Sequence, residues 1–238
     1  MFNYDINSLK ELLSAIIREN ISADAFEWLE VQKADDKAST FKGSFVQMPR
    51  KVGKNQVICS PDQLKQLQSI RPGFNIDEWT TDRLCRVYLL IDRDSADKDK
   101  YYQLITDLFS AAEMNELVAL YSALPLLPYP ELWTKVCAEG IRSNIGSVLE
   151  AIMYQNPYPA EQLDEAAWNQ MIMKAFFTDK QMNRIQGLDE RANKELARIL
   201  TDYAQERHAA GRGVDPMLWY LAGKFVDAPV LDAMKAAF

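Results

Sequence analysis

Residues 8–20 read SLKELLSAIIREN, and this segment indicates the fold class because its apolar side chains recur at helical spacing. They fall at positions i, i+3, i+4, i+7 and i+8, which places them on one face of an amphipathic helix. These side chains are Leu9, Leu12, Leu13, Ile16 and Ile17. Asp5 or Asn7 can cap the start of this helix, and Asn20 can end it.

Apolar stripes with the same spacing recur along the chain, separated by turns that contain proline or glycine. The most apolar stripe consists of Trp168, Met171, Ile172, Ala175 and Phe176. The one β-like run, residues 56–59, is too short to found a sheet. The sequence therefore predicts an all-α protein with essentially no sheet, either a multi-helix bundle or an irregular α-α superhelix of HEAT-like helix pairs.

Several helix ends can be predicted from single residues. Ser60 followed by Pro61 is typical of a helix start, because proline fits the first helical position. Pro49 is expected to stop a helix that begins at Ala38, and Asp189 is expected to cap a long helix after it. Residues 227–238 are predicted to form a last short helix.

The segment LPLLPYP, residues 124–130, is the best candidate for an internal boundary. Each proline disfavours the α region for the residue before it, so the segment forms a rigid turn. We expect an N-terminal helical region, residues 1–128, and a C-terminal helical region, residues 129–238. Because the turn is apolar and favours burial, the two regions are interpreted as one continuous domain.

Composition limits the classes of partner. The chain has 238 residues, 48% of them apolar or aromatic, and a net charge of −7. An acidic balance disfavours binding to nucleic acid or to an anionic membrane surface. The chain has no run of 18 apolar residues and no signal-peptide pattern, so we expect a cytoplasmic protein without membrane insertion.

The usual signatures of catalysis and of cofactor binding are missing from the sequence. Cys59, Cys85 and Cys137 are far apart, and His208 is the only histidine, so no zinc site is expected. Neither a glycine-rich phosphate loop nor a nucleophile motif occurs. We therefore predict no catalytic residue, no cofactor and no metal ligand, and we favour a protein that is not an enzyme.

Polar residues that flank apolar stripes in the second half form a candidate ligand or partner site. Arginine and amide groups can hold a planar anionic or amide group, but they can equally satisfy the free carbonyls and amides at helix ends. We favour the second interpretation. The candidate residues are Arg142, Asn144, Asn169, Asp189, Arg191 and Arg198. An enzymatic alternative would use Asp189, Asp202, Arg142 and Arg198 as carboxylate and arginine groups.

Several separated motifs occur in one order, mostly after residue 127. They are EGIRSN (139–144), NPYPAE (156–161), EAAWNQM (165–171), GLD (187–189), RAN (191–193), DYA (202–204), AGR (210–212) and MLW (217–219). In these motifs the chain resembles the EboA family over roughly residues 45 to 225, whereas residues 1–40 carry no recognisable part of the resemblance. The chain departs from the family at Gln205 and His208, where the family has His and Trp.

The resemblance implies a role in a bacterial and algal gene cluster linked to the traffic of metabolite precursors out of the cytoplasm. Together with the missing catalytic and metal-binding patterns, the resemblance favours a non-catalytic helical binding or adaptor protein, with other Ebo-cluster proteins or a small polar metabolite as partners. Because Gln205 replaces the family's histidine, a site that used this histidine as a base would be impaired. A small-molecule enzyme in the C-terminal half is the alternative.

Overall fold

The computed structural model describes residues 4–35 and 37–227, and 70% of the structure is helical. The described residues form thirteen α-helices and no strand, and Gln56 and Thr80 make an isolated antiparallel bridge. The all-α prediction is confirmed. Within the same residues, none of the helices is both long enough and apolar enough to cross a bilayer.

The chain divides into two compact units, Met1–Tyr158 and Pro159–Phe238. The turn at residues 124–130 lies inside the first unit, and the division coincides with the second proline-rich turn. The boundary expected at residue 128 within one continuous domain, and an irregular superhelix of HEAT-like helix pairs, stay predictions. The helix predicted for residues 227–238 lies almost wholly outside the described residues.

The first unit contains nine α-helices and the start of a tenth. They are α1 (Ile6–Asn20), α2 (Ala23–Ala34), α3 (Ala38–Val52), α4 (Pro61–Ile70), α5 (Thr81–Asp92), α6 (Lys98–Ala111), α7 (Met114–Ala123), α8 (Thr134–Arg142), α9 (Gly146–Met153) and α10 (Tyr158–Gln162). The apolar turn after α7 forms two short 3-10 helices, Leu124–Leu126 and Pro130–Trp133. The second unit adds α11 (Glu165–Phe177), α12 (Lys194–Ala209) and α13 (Pro216–Ala222).

Side-chain caps explain where several helices begin and end. Asp5 accepts hydrogen bonds from the backbone N–H groups of Asn7 and Ser8 at 3.0 and 3.1 Å, so it caps α1. Ser60 and Gln63 form a reciprocal capping box at the start of α4, as the Ser60-Pro61 pair predicts.

Asn20 ends α1 and also holds the segment before α4. Its Nδ2 donates to the carbonyl oxygens of Ile16 and Ile58, at 2.8 and 2.9 Å. Its Oδ1 accepts from the backbone N–H of Ile58 at 2.7 Å. The amide side chain therefore pairs with Ile58 as a neighbouring peptide group would.

Helix α5 is the centre of the first unit. Ten of its twelve residues are buried, and α1, α3 and α7 pack around it. Among the buried residues, Asp82 and Arg86 form an ion pair with an N–O distance of 2.7 Å and side chains only 5% and 2% exposed. Burial of both charges is tolerated only with good geometry, because each loses its hydration.

Helix α3 continues through Pro49 to Val52, so the predicted stop at Pro49 is wrong. Proline has no N–H, so the carbonyl of Phe45, one turn earlier, lacks its usual intrahelical donor. Arg86 replaces that donor: its Nε donates to the oxygen of Phe45 at 2.9 Å, and its guanidinium lies 5.4 Å from the Phe45 ring centre.

The second unit is built on the apolar stripe of α11. Trp168, Met171, Ile172 and Phe176 are all buried, which confirms the predicted core face. Asp189 does not cap α12, so that prediction is wrong. Asn193 takes this place, because its Oδ1 accepts from the backbone N–H of Leu196 at 2.8 Å.

We predict that Asp82→Ala lowers the free energy of unfolding by about 3–5 kcal/mol, because it leaves Arg86 as an uncompensated buried cation. Urea unfolding measures the loss. Asp62→Ala is the control, since Asp62 is in an ion pair but 95% exposed, and it should cost less than about 1 kcal/mol. An equal loss of unfolding free energy in the two variants would contradict the role of Asp82 as the partner that neutralises Arg86.

Adjacent phenylalanines in α11 give a second prediction. Phe176 is 6% exposed and Phe177 is 61% exposed. Phe176→Ala should cost about 3–5 kcal/mol through the loss of burial and the resulting cavity. Phe177→Ala removes only a ring contact with Tyr203 and should cost about 1 kcal/mol. Thermal melts of both variants test this prediction. A larger loss of stability for Phe177→Ala than for Phe176→Ala would mean that α11 packs on the core through the face that carries Phe177.

Candidate functional site

The six residues of the sequence-predicted site are divided between the two units. Arg142 is the last residue of α8 and Asn144 follows it in the loop, and both are exposed. Asn169, Asp189, Arg191 and Arg198 belong to the second unit. Convergence of all six residues on one region stays a prediction.

Arg191 joins the loop before α12 to the end of α10. Its Nη1 donates to the carbonyl oxygen of Ala160 at 2.6 Å, and its Nη2 donates to that of Leu163 at 2.8 Å. The guanidinium also lies 5.1 Å from the ring centre of Trp168. Carbonyls at a helix C-terminus have no intrahelical donor, so Arg191 satisfies them.

Asn169 and Asn193 form a reciprocal amide pair beside Arg191. Asn193 Nδ2 donates to Asn169 Oδ1 at 2.9 Å, and Asn169 Nδ2 donates to Asn193 Oδ1 at 3.3 Å. Asn193 Nδ2 also donates to the carbonyl of Arg191 at 3.1 Å. Asn169 is 4% exposed, so its amide groups are used in joining α11 to the start of α12.

Gly187 lets this loop approach α10 closely. Its φ of +78° is unfavourable for residues with a side chain. A Cβ atom at this position would lie 2.5 Å from the Cβ of Ala160, whose carbonyl Arg191 binds. The glycine, arginine and asparagine of the motifs therefore form one structural joint.

Asp189 and Arg198 are exposed and already paired. Asp189 accepts hydrogen bonds from Lys224 and Tyr220, which lower the pKa of its carboxyl group. A general acid near neutral pH needs a raised pKa, so Asp189 does not suit that role. Arg198 binds Asp202 at 2.8 Å, as the i, i+4 spacing predicts, and Glu195 at 2.7 Å.

The buried cysteines do not have the environment of a nucleophile. Burial raises the pKa of both the Cys85 and the Cys137 thiols, so both stay protonated near neutral pH. Within the described residues, no group of three or more His, Cys, Asp or Glu side chains is arranged to hold a metal ion.

A cavity of 390 Å³ between α3 and α6 is a stronger candidate for a ligand site. Its volume lies within the range of about 300–1,000 Å³ that small-molecule sites occupy. Its apolar part is formed by Ala38, Phe41 and Leu104. The polar lining residues are Lys42, Arg93, Lys100, Gln103 and Asp107. None of these residues is in the sequence-predicted set.

Arg93 is the buried charged group of this cavity. It directly follows α5, and it is 9% exposed. Its Nη1 donates to the carbonyl of Asp35 at 2.8 Å, and its Nη2 donates to the carbonyl of Lys33. Its guanidinium lies 4.9 Å from the ring centre of Phe41. Its Nε is buried and has no hydrogen-bond acceptor among the described residues.

The other charged groups of the cavity have partners of their own. Lys42 Nζ lies 2.9 Å from Asp107 Oδ2, and Gln103 donates to Asp107 Oδ1 at 2.6 Å. These two hydrogen bonds lower the pKa of Asp107. Lys100 lies 3.0 Å from Asp97 and is largely exposed. Arg93 differs from both lysines because its hydrogen bonds go to neutral backbone carbonyls, and the Asp35 carboxylate interacts with it only from beyond ion-pair distance.

Sequence reasoning missed Arg93 because no local pattern marks it. Arg93 directly follows a buried helix, which is a common position for an arginine. Its hydrogen-bond acceptors are carbonyls at the end of α2, which is distant in the sequence. The signal that was available is the position of an arginine two residues after Ile91, where the apolar run of α5 ends.

A family model described as "Metabolite traffic protein EboA" matches residues 9–223. The match includes α1 and α2, so the expectation that residues 1–40 carry no part of the family is wrong from residue 9 onward. No curated protein and no solved structure gave a significant match.

Two arginines of the second unit give a matched prediction. Arg191→Ala removes donors to two carbonyls and should lower the free energy of unfolding by about 1–3 kcal/mol. Arg198→Ala removes only exposed ion pairs, so it should leave the free energy of unfolding almost unchanged. Chemical unfolding of both variants measures the difference. An unchanged stability for Arg191→Ala would rule out its role in the joint.

Proposed function

The chain belongs to the EboA family, and from this premise we propose that it is a non-catalytic binding protein that holds a small metabolite during traffic. The family description supports metabolite traffic as the general role. The finer proposal is that the cargo is a precursor that leaves the cytoplasm, and that the protein passes it on without changing it chemically.

The cavity lined by Arg93 is the observation that best supports binding. It combines apolar side chains with a few polar groups, which is the usual composition of a small-molecule site. Arg93 is held by two backbone carbonyls and the ring of Phe41. Its guanidinium therefore keeps its position without a ligand, and binding does not require this side chain to be ordered first.

The sequence-predicted site divides into two kinds of residue under this proposal. Asn169 and Arg191 support the fold of the second unit through the contacts described above. The exposed members are proposed as contacts for another protein of the same gene cluster. They are Arg142, Asn144, Asp189 and Arg198.

A cavity-filling substitution tests the binding proposal. Ala38 is exposed, lies in the first turn of α3 and lines the cavity. Ala38→Trp should therefore exclude the cargo while leaving the core intact. The measurement is mass spectrometry of the small molecules that co-purify with the protein from its own host.

Ser39→Trp is the matched control, because Ser39 is the next exposed residue and is not among the residues lining the cavity. We expect a compound that accompanies the wild type and Ser39→Trp but not Ala38→Trp. The proposal is wrong if no compound accompanies the wild type, or if the same compounds accompany both variants equally.

A further inference from the structure

We infer that the cavity between α3 and α6 binds an anionic ligand, a carboxylate or a phosphate ester joined to a short apolar group. This inference rests on the proposed function and specifies the chemical class of its ligand.

Charge is the first argument. The lining contains three cations, Lys42, Arg93 and Lys100, and one carboxylate, Asp107, which gives a net lining charge of +2. This local excess occurs in a chain whose net charge is −7. A ligand anion would therefore be attracted to this cavity more than to the protein surface in general.

The buried position of Arg93 strengthens the charge argument. Asp107 is bonded to Lys42, and Lys100 is close to Asp97, so each lysine has a carboxylate near it. Within the described residues, no carboxylate oxygen lies within ion-pair distance of Arg93. Backbone carbonyls satisfy hydrogen bonds but carry no net charge. The exposed Asp35 carboxylate attracts Arg93 only from beyond this distance. An anion in the cavity would place a compensating charge next to the buried guanidinium.

The hydrogen-bonding capacity of Arg93 gives a second, independent argument. Nη1 and Nη2 donate to the carbonyls of Asp35 and Lys33, while Nε has no acceptor. Buried polar groups nearly always have a partner, and an unsatisfied donor is costly. Carboxylate and phosphate oxygens are strong acceptors for a guanidinium, so they suit this donor better than a neutral hydroxyl. Because Nε is buried, the side chains that cover it must shift to let such an oxygen reach it.

The apolar lining defines the other part of the ligand. Phe41 is fully buried and lies directly under the guanidinium, and Leu104 is half-buried on the facing helix. Leu104 and Ala38 contribute accessible apolar surface to the cavity, and Phe41 lies beneath its lining. A ligand with a short hydrocarbon or aromatic group gains by burying it there, whereas inorganic phosphate alone would leave this surface uncovered.

The inference is tested by isothermal titration with probes that share one apolar chain. Octanoate and octyl phosphate carry the two kinds of anionic head, octan-1-ol is the neutral probe, and inorganic phosphate is the head without a chain. Octanoate, octyl phosphate or both should bind at a one-to-one ratio. Octan-1-ol and inorganic phosphate should bind about tenfold more weakly or worse.

Two substitutions at Leu104 test the charge without touching Arg93. Leu104→Asp and Leu104→Asn have nearly the same shape but differ by one negative charge. The anionic probes should bind about fivefold or more weakly to Leu104→Asp than to Leu104→Asn, while octan-1-ol should bind both alike. Arg93→Gln should weaken the binding of the anionic probes by at least the same factor as Leu104→Asp does. Circular dichroism first establishes that this variant is folded.

The outcomes separate this inference from the function on which it rests. Equal affinity for octanoate and octan-1-ol, both lost in Ala38→Trp, would overturn the anionic class and leave the cavity as a ligand site. Absence of binding by both anionic probes would overturn the inference, and the co-purification experiment would still decide the proposed function. Equal affinity of Leu104→Asp and Leu104→Asn for octanoate would also overturn it.

Discussion

Pro49 leaves a carbonyl in α3 without its donor, and the arrangement of the first unit depends on how α5 supplies one. Arg86 donates to Phe45 and is neutralised by Asp82, one turn earlier on the same helix. The pair is buried, so it is stable only while α3 and α5 are packed together. The same two helices deliver the main groups of the cavity, since α3 carries Phe41 and α5 ends directly before Arg93. The geometry of the candidate ligand site therefore depends on a contact about one helical turn away along α3 and about two turns away along α5.

Predictions from the sequence are correct where the feature depends on residues close together in the chain. They fail where it depends on contacts between different helices. The stripe of α1, the capping box at Ser60 and the buried face of α11 are local features, and the structure confirms them. Pro49 was misjudged because the group that compensates for it comes from another helix. The cap of α12 was misplaced because Asn193, closer to the helix, competes for the same role as Asp189. Arg93 was missed because its surroundings exist only after α2, α3 and α6 have packed.

The motifs that carry the family resemblance in the second unit form contacts within the chain itself. Arg191 binds two carbonyls, Asn169 and Asn193 bind each other, and Gly187 permits the close approach. These groups are largely satisfied, so little of their hydrogen-bonding capacity is left for a ligand. Trp168 Nε1, within the motif EAAWNQM, is buried without a hydrogen-bond acceptor among the described residues, and so is Arg93 Nε, which lies outside the quoted motifs. Arg191, Asn169, Asn193 and Gly187 of the quoted motifs therefore mark positions that the fold of the second unit requires.

The close approach of Gly187 to Ala160 has a consequence for sequence drift within the family. A methyl group at residue 187 has no space while residue 160 also carries one, because the two Cβ atoms would be 2.5 Å apart. The two positions are therefore coupled during divergence: a homologue that acquires alanine at the first position needs glycine at the second. Even this exchange is not neutral, because alanine at a φ of +78° carries a penalty of about 1 kcal/mol. Accepted changes at this pair should consequently be rare and concerted, which makes it a useful marker for aligning distant homologues whose helices have diverged.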